Sequence, residues 1–246
     1  MSRSSNRPVV LVTGSSRGLG RVIATAFGAH GYRVAANYSR DTIGALESTR
    51  AIEAAGGEAF PHQADVGDAK AVHAMVSTII DRWGRLDVLI CNAAASADEL
   101  LVRLSEDSWD RVLGTILTGA FHCLRAAGVM MQRQGRGAVL LIGSHSGIQG
   151  LPGQSSYAAA KAGLLGLMKS AAREWGTDRI TINMILPGWH ATALTGYQQH
   201  SGQPPFAPVL ESGATMESVA EFVVAVAAMP NVSGQVFNFD SRILPH

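Results

Sequence analysis

Cysteine and charge are both scarce in this chain. Only Cys91 and Cys123 occur in 246 residues, with no C-x-x-C pair and no Cys/His cluster. Neither a disulfide scaffold nor a zinc site is therefore indicated, and two reduced, buried thiols are expected. Charged residues make up 16% of the chain, against roughly 25% in an average globular protein. The 20 Lys+Arg and 19 Asp+Glu leave a net charge of +1, which argues against a polyanion-binding protein. Long apolar runs are missing too: the stretches 138–142 and 222–229 fall short of the ~20 residues that span a bilayer. The segment 1–8 is polar and basic, and the apolar run behind it is too short for a signal peptide. A flexible tail followed by a soluble, cytoplasmic protein is the expectation.

Apolar residues, in contrast, reach 47%, and glycine numbers 27. A large buried core with many tight turns follows, because disorder needs the opposite balance. Short β-branched runs at 9–12, 33–37, 58–63, 88–91, 138–142, 181–185 and 235–239 alternate with longer amphipathic stretches at 20–30, 43–55, 70–83, 109–133, 156–175 and 216–228. Repeated βα units around a parallel sheet produce this pattern, and strands covered on both faces need no strict polar alternation. Gly31 and the Gly56-Gly57 pair follow the first two helical stretches, where left-handed C-caps are common. No linker interrupts 9–246, so one domain is expected. The segment 192–213 carries Gly196, Gly202, Pro204, Pro205 and Pro208 without a sustained period. It reads as a substrate lid, with a disordered excursion as the alternative.

The first strand runs into Thr13-Gly14-Ser15-Ser16-Arg17-Gly18-Leu19-Gly20 and then a helix. Backbone N–H groups at a helix N-terminus favour a phosphate, and glycines let it approach; an ordinary glycine turn is the other reading. At the end of the second strand, Asn37-Tyr38-Ser39-Arg40 offers no acidic residue for an adenosine ribose. Arg40 and Arg17 suit a 2′-phosphate instead, which favours NADP(H) over NAD(H), unless both are simply solvated surface charges. Asp65-Val66 and Asn92-Ala93-Ala94 close the third and fourth strands. At carboxyl ends of a parallel sheet they are candidates to contact adenine and ribose, or plain turn formers.

Ser144 is followed thirteen positions later by Tyr157, and Lys161 lies four beyond that. Residues i and i+4 share a helix face, so an ammonium there is expected to lower the phenol's pKa and make Tyr157 a usable proton donor to a carbonyl. Alone, Y-x-x-x-K is a common chance pattern.

These residues in this order resemble the short-chain dehydrogenase/reductase family: Thr13-Gly14-x3-Gly18-x-Gly20, Asp65, Asn92-Ala93-Ala94, Ser144, Tyr157-x3-Lys161 and Pro187-Gly188 with Thr192. Tyr157-Ala-Ala-Ala-Lys161-Ala-Gly-Leu and Leu100-Leu-Val-Arg-Leu104 further resemble its 3-oxoacyl carrier-protein reductases, enzymes of fatty acid biosynthesis. The resemblance implies a Rossmann-type, doubly wound sheet of about seven strands in a single domain. It also implies Tyr157 as general acid/base, Lys161 on the nicotinamide ribose, Ser144 on the substrate carbonyl, and Pro187, Gly188 and Thr192 on the nicotinamide amide. A homotetramer and a 3-oxoacyl thioester, delivered on an acyl carrier protein, are implied as well. Arg133, Arg136 and Arg179 are candidates to meet such a carrier or ordinary solvated arginines, and no nucleic acid or membrane partner is expected. His145, Gln149, Leu151, Gln154, Trp189 and His190 flank the catalytic candidates and are expected to line the substrate site. An NAD-dependent alcohol or steroid dehydrogenase and a weakly catalytic cofactor-binding scaffold are the competing readings.

Three departures stand out. Ala94 replaces a usual glycine, Ile116 stands where the family has an asparagine holding a relay water, and Ser241-Arg242 replaces a usual Gly-Gly.

Overall fold

The computed structural model describes residues 7–190, 209–210 and 213–242. Seven parallel strands form one sheet in the order β3-β2-β1-β4-β5-β6-β7. They are β1 (Val9–Val12), β2 (Arg33–Tyr38), β3 (Glu58–Gln63), β4 (Val88–Cys91), β5 (Gly137–Ile142), β6 (Ile180–Leu186) and β7 (Val236–Asn238). The helices between them are α1 (Gly18–Ala29), α2 (Thr42–Ala54), α3 (Ala69–Trp83), α4 (Glu106–Leu113), α5 (Gly119–Gln134), the short α6 (Ser146–Gln149), α7 (Ser155–Trp175) and α8 (Met216–Ala227). This is a single Rossmann-like domain, and each expected strand, and each expected helix except that at 109–133, forms within two residues of its expected bounds.

Both faces of the sheet are covered, which is why its strands read as uninterrupted apolar runs. Alternate residues of β1 enter opposite cores. Val9 and Leu11 join the layer of α3, α5 and α7, while Val10 and Val12 join that of α1, α2 and α8. Gly31 and Gly56 take positive φ of 80° and 95° just past α1 and α2, as their positions suggested. Because β1 leads to β2 on one side while β4 lies on the other, the chain reverses direction between β1 and β4. Open α/β sheets bind ligands at the carboxyl ends flanking such a reversal.

The stretch expected as one helix over 109–133 is broken by a π-helical turn at Gly114–Thr118 between α4 and α5. Within that turn Ile116 is part of the core, 2% exposed. The whole run 106–134 is long and apolar enough, by length and composition alone, to cross a membrane. Here its buried side, including Ala120, Cys123, Leu124 and Ala127, is part of the protein core.

Candidate active site

A cleft of ≈ 760 Å³ opens at the carboxyl ends of the strands. Its floor is the turn from β1 into α1. Gly14 and Gly18 adopt positive φ of 63° and 55°, and a Cβ on Gly20 would stand 2.3 Å from the Gly14 carbonyl and 2.4 Å from Asn92 Nδ2. Arg17 occupies the N-cap of α1 without a side-chain cap, so the first backbone donors of the helix are not served from that position. Asn37 locks the turn from below, accepting from Gly14 N at 3.2 Å while its amide donates to the carbonyls of Ala64 and His62. Asn92 laces the end of β4 to the same turn, its Nδ2 donating to the Thr13 and Gly14 carbonyls at 3.0 and 3.1 Å. Thr13 Oγ1 answers by accepting from the backbone of Asn92 and Ala93. Thr13 and Asn37 carry the geometry of this turn, and no local motif pointed to either as a positioning group.

Gly14, Ser16, Arg17, Gly18, Leu19, Gly20, Ser39, Arg40, Asp65, Val66, Asn92, Ala93 and Ala94 all line the cleft. Arg17, Ser39 and Arg40 are exposed at its mouth. Asp65 is both a cleft residue and a turn former, its Oδ1 accepting from Gly67 N at 2.9 Å. A carboxylate follows Arg40: Asp41 also lines the cleft, but its Oδ1 accepts from Gly44 N at 2.9 Å as the N-cap of α2. Arg21 ties these two walls together, donating to the Ser16 carbonyl through Nε at 3.0 Å and to the Gly44 carbonyl through Nη2 at 3.2 Å. Closely approaching glycines, an uncapped helix start and two exposed guanidiniums form a donor set that fits the phosphates of a dinucleotide.

The opposite wall brings Ser144, Tyr157, Lys161, Pro187 and Gly188 together. Tyr157 and Lys161 sit one turn apart on α7, with Lys161 Nζ 5.5 Å from the tyrosine ring centroid. Ser144, just beyond β5, hydrogen-bonds Tyr157 through its side chain. Its Oγ also accepts from Ser146 N at 3.1 Å, while Ser146 Oγ donates to Gln154 Oε1 at 2.9 Å. Gln154 and Trp189 reach the cleft with them, as does His190.

The electrostatics depart from the expectation that Lys161 lowers the pKa of Tyr157. Burial pushes the Tyr157 hydroxyl up to about 12, and the bond from Ser144 is what opposes the rise. Burial also brings the Lys161 ammonium down to about 8. Two groups removed from water both favour their neutral forms, and burial is the largest cause of each shift. Lys161 is 4% exposed and donates to the Ile142 carbonyl at 2.6 Å. Behind it lies a second cavity of ≈ 10 Å³ lined by Thr13, Cys91, Ile116, Cys123 and Lys161, among others. Both cysteines are free and buried, as expected.

His145, expected to line the substrate site, faces elsewhere. It is 6% exposed, and its Nε2 donates to Asn238 Oδ1 on β7 at 2.9 Å. Burial, then the charge of Arg242, lowers its pKa. Beside it is the buried ion pair between Asp240 and Arg242, with Asp240 Oδ2 4.0 Å from His145 Nε2. Burial works to raise the Asp240 carboxyl, but Arg242 outweighs it and holds the group below its usual value. Gln149 and Leu151 are half-buried outside the cleft lining. Thr192 and nearly all of the expected lid lie outside the described residues. Arg133, Arg136 and Arg179 gather before β5 and β6, at the end of the strands away from the cleft. Among the described residues no cluster of His, Cys, Asp and Glu could hold a metal ion.

A doubly wound parallel sheet with a serine, a tyrosine and a lysine facing a glycine-rich helix start defines a class of nicotinamide-dependent oxidoreductase. Sequence comparison places the chain within it: the model for the short chain dehydrogenase family matches residues 8–202, and the protein belongs to that family. A 3-oxoacyl-acyl-carrier-protein reductase from Synechocystis is 37% identical over 238 residues, covering 96% of both chains. One from Staphylococcus aureus is 44% identical over 185 residues, 75% of each. Among solved structures, a putative short-chain alcohol dehydrogenase from Sinorhizobium meliloti superposes with a TM-score of 0.84 at 29% identity over 96% of both chains.

Proposed function

We propose that this oxidoreductase exchanges hydride between NADP(H) and a carbonyl or alcohol, with a 3-oxoacyl thioester as the favoured substrate. The observation that carries the reading is the convergence of Ser144, Tyr157 and Lys161 on one wall of the cleft whose other end presents Arg17 and Arg40. The names of the Synechocystis and Staphylococcus aureus relatives support the thioester. In this reading the nicotinamide supplies the hydride. Arg17 and Arg40 take the 2′-phosphate, with Asp41 held aside in its capping bond. Lys161 holds the ribose, Pro187 and Gly188 orient the amide, and Thr192 joins them.

Ser144 holds the substrate oxygen, and Tyr157 delivers the proton to it as the negative charge develops. Gln154, held by Ser146, and Trp189 border the acyl group.

Replacing Tyr157 by Phe tests the mechanism. We expect NADPH oxidation with a 3-oxoacyl thioester to fall at least about 10²-fold, the lower end of a positioned proton donor's contribution, while NADPH binding persists. Turnover at the wild-type rate would reject the assignment. The NAD-dependent alcohol dehydrogenase reading predicts tighter NADH than NADPH binding, and titrating both separates the two. A homotetramer in the cytoplasm fits the family; α5 leaves Phe121 and Val129 43% and 46% exposed on its outer face, and a monomeric mass by light scattering would exclude that assembly. The acyl carrier protein remains the proposed bearer of the thioester.

A further inference from the structure

β5 and β7 are not neighbours in the sheet: β6 lies between them. The His145–Asn238 hydrogen bond nevertheless joins the loop after β5 to β7, passing over the end of β6 where Pro187-Gly188 departs. Its direction is determined. Asn238 Nδ2 is committed to the Arg242 carbonyl at 2.8 Å, so Oδ1 faces His145 and Nε2 must carry the proton. Asp240 closes the other side. A Cβ on Gly188 would stand 2.8 Å from Asp240 Oδ2, so the carboxylate lies directly against that turn. Arg242 holds the carboxylate through Nε at 2.7 Å and backbone N at 3.2 Å. The side chains of His145, Asp240 and Arg242 are only 7%, 9% and 5% exposed. Ser241 extends the assembly, its Oγ accepting from Leu210 N at 3.2 Å and its carbonyl from Val209 N at 3.3 Å.

We propose that His145 is a positioning residue: with Asn238, Asp240 and Arg242 it forms a buried polar brace that fixes the Ser144 loop relative to the Pro187-Gly188 turn. The brace rests on the reading that Ser144 holds the substrate oxygen and the turn holds the nicotinamide. It explains why a serine and an arginine stand at 241 and 242: the arginine neutralises the carboxylate against Gly188, and the serine pins residues 209 and 210 to the same point. A buried polar network is effective only when fully satisfied, so removing one member frees the others to move.

The test compares His145→Leu with His145→Gln, whose amide can still donate to Asn238. Nicotinamide fluorescence measures cofactor affinity without any substrate, and steady-state rates with a 3-oxoacyl thioester measure the chemistry. The leucine variant is expected to lose about tenfold in kcat, the scale of one buried hydrogen bond, and to bind NADPH more weakly. KM for the thioester should change little, and the glutamine variant should recover most of both losses. Folding is checked by circular dichroism and thermal midpoint. If the leucine variant does not fold, Asn238→Ala removes the acceptor from the other side and should show the same pattern. A folded variant with wild-type kcat and NADPH affinity overturns the brace, as does a glutamine variant as impaired as the leucine one. A wild-type protein that binds NADPH but ignores the thioester defeats the substrate reading instead, and the binding measurements still judge the brace.

Discussion

The two ends of the cleft are held by different means. At the phosphate end, position is set by backbone and by neutral amides: Gly14, Gly18 and Gly20 shape the turn, Asn37 and Asn92 tie it to three strands, and the charged groups, Arg17 and Arg40, stay at the surface. At the chemical end the charged and titratable groups are inside. Lys161 is 4% exposed, and His145, Asp240 and Arg242 form a buried network against the Gly188 turn. Solvated guanidiniums can meet a phosphate without first being desolvated, whereas a proton donor gains from a site where water cannot compete for its proton. The first end should therefore respond to substitution through sterics and affinity, and the second through protonation.

Lys161→Met should produce the largest effect, and one that depends on pH. Unfolded, the ammonium titrates near 10.5; folded, near 8. Between these values the unfolded chain binds more protons, so the wild-type protein gains stability as pH rises through that window. Below pH 8 it carries the full cost of burying the charge, on the order of 3 kcal/mol from the size of the shift. Methionine, similar in volume and never charged, should make the protein more stable at pH 7, an advantage that shrinks as pH approaches 10.5. Urea unfolding of both proteins at pH 7 and pH 10 measures this. A difference that does not change with pH would mean that Lys161 is not desolvated as described, and that the contrast between the two ends is smaller than drawn.

Gly20→Ala probes the phosphate end. The added methyl would meet the Gly14 carbonyl and Asn92 Nδ2, a backbone atom and an amide already bonded on both sides. Overpacking of this kind costs about 1–3 kcal/mol, read as a lower thermal midpoint together with weakened NADPH binding. Its effect should not vary with pH. Removing either Arg17 or Arg40 is the milder test. Each lost charge-assisted bond to a 2′-phosphate is worth about 1.5–3 kcal/mol before solvent screening, so selectivity for NADPH over NADH should drop by roughly tenfold. Stability should be unchanged. Equal affinity for the two cofactors in the wild-type protein would reassign both arginines to ordinary surface charge.

Much of the first end was legible in the chain because its logic is local. A strand buried on both faces is a short apolar run, and the residues of the phosphate turn are contiguous from Thr13 to Gly20. Tyr157 and Lys161 were equally legible, being one helical turn apart. What was misread at the chemical end depends on distant parts of the chain. His145 looks like a pocket residue beside Ser144, but its partners are Asn238, Asp240 and Arg242, more than ninety positions on. The expected lowering of the Tyr157 pKa rested on proximity to Lys161 and omitted burial, which only the packed structure reveals. Asp41 is not legible as a cleft residue, because a carboxylate one residue past Arg40 has no meaning until its side chain is seen turning to cap α2. The π-helical turn at Gly114–Thr118 hides for another reason: a single extra residue barely disturbs a 3.6-residue period.

That turn leads to the smallest expected effect. Ile116 stands where the family resemblance implies an asparagine holding a relay water, and the cavity it borders, ≈ 10 Å³, is at the lower limit for one water. Lys161 is not left without an acceptor, however, because Ile142 offers its carbonyl at 2.6 Å. Replacing Ile116 by asparagine would add a second polar neighbour to a lysine that already has one, in a place where burying an amide carries its own cost. We expect kcat to change by less than about tenfold, one hydrogen bond's worth, and the thermal midpoint to fall. A gain well beyond tenfold would mean that the carbonyl of Ile142 does not substitute for the relay, and that the chemical end is catalytically impaired despite its complete set of Ser144, Tyr157 and Lys161.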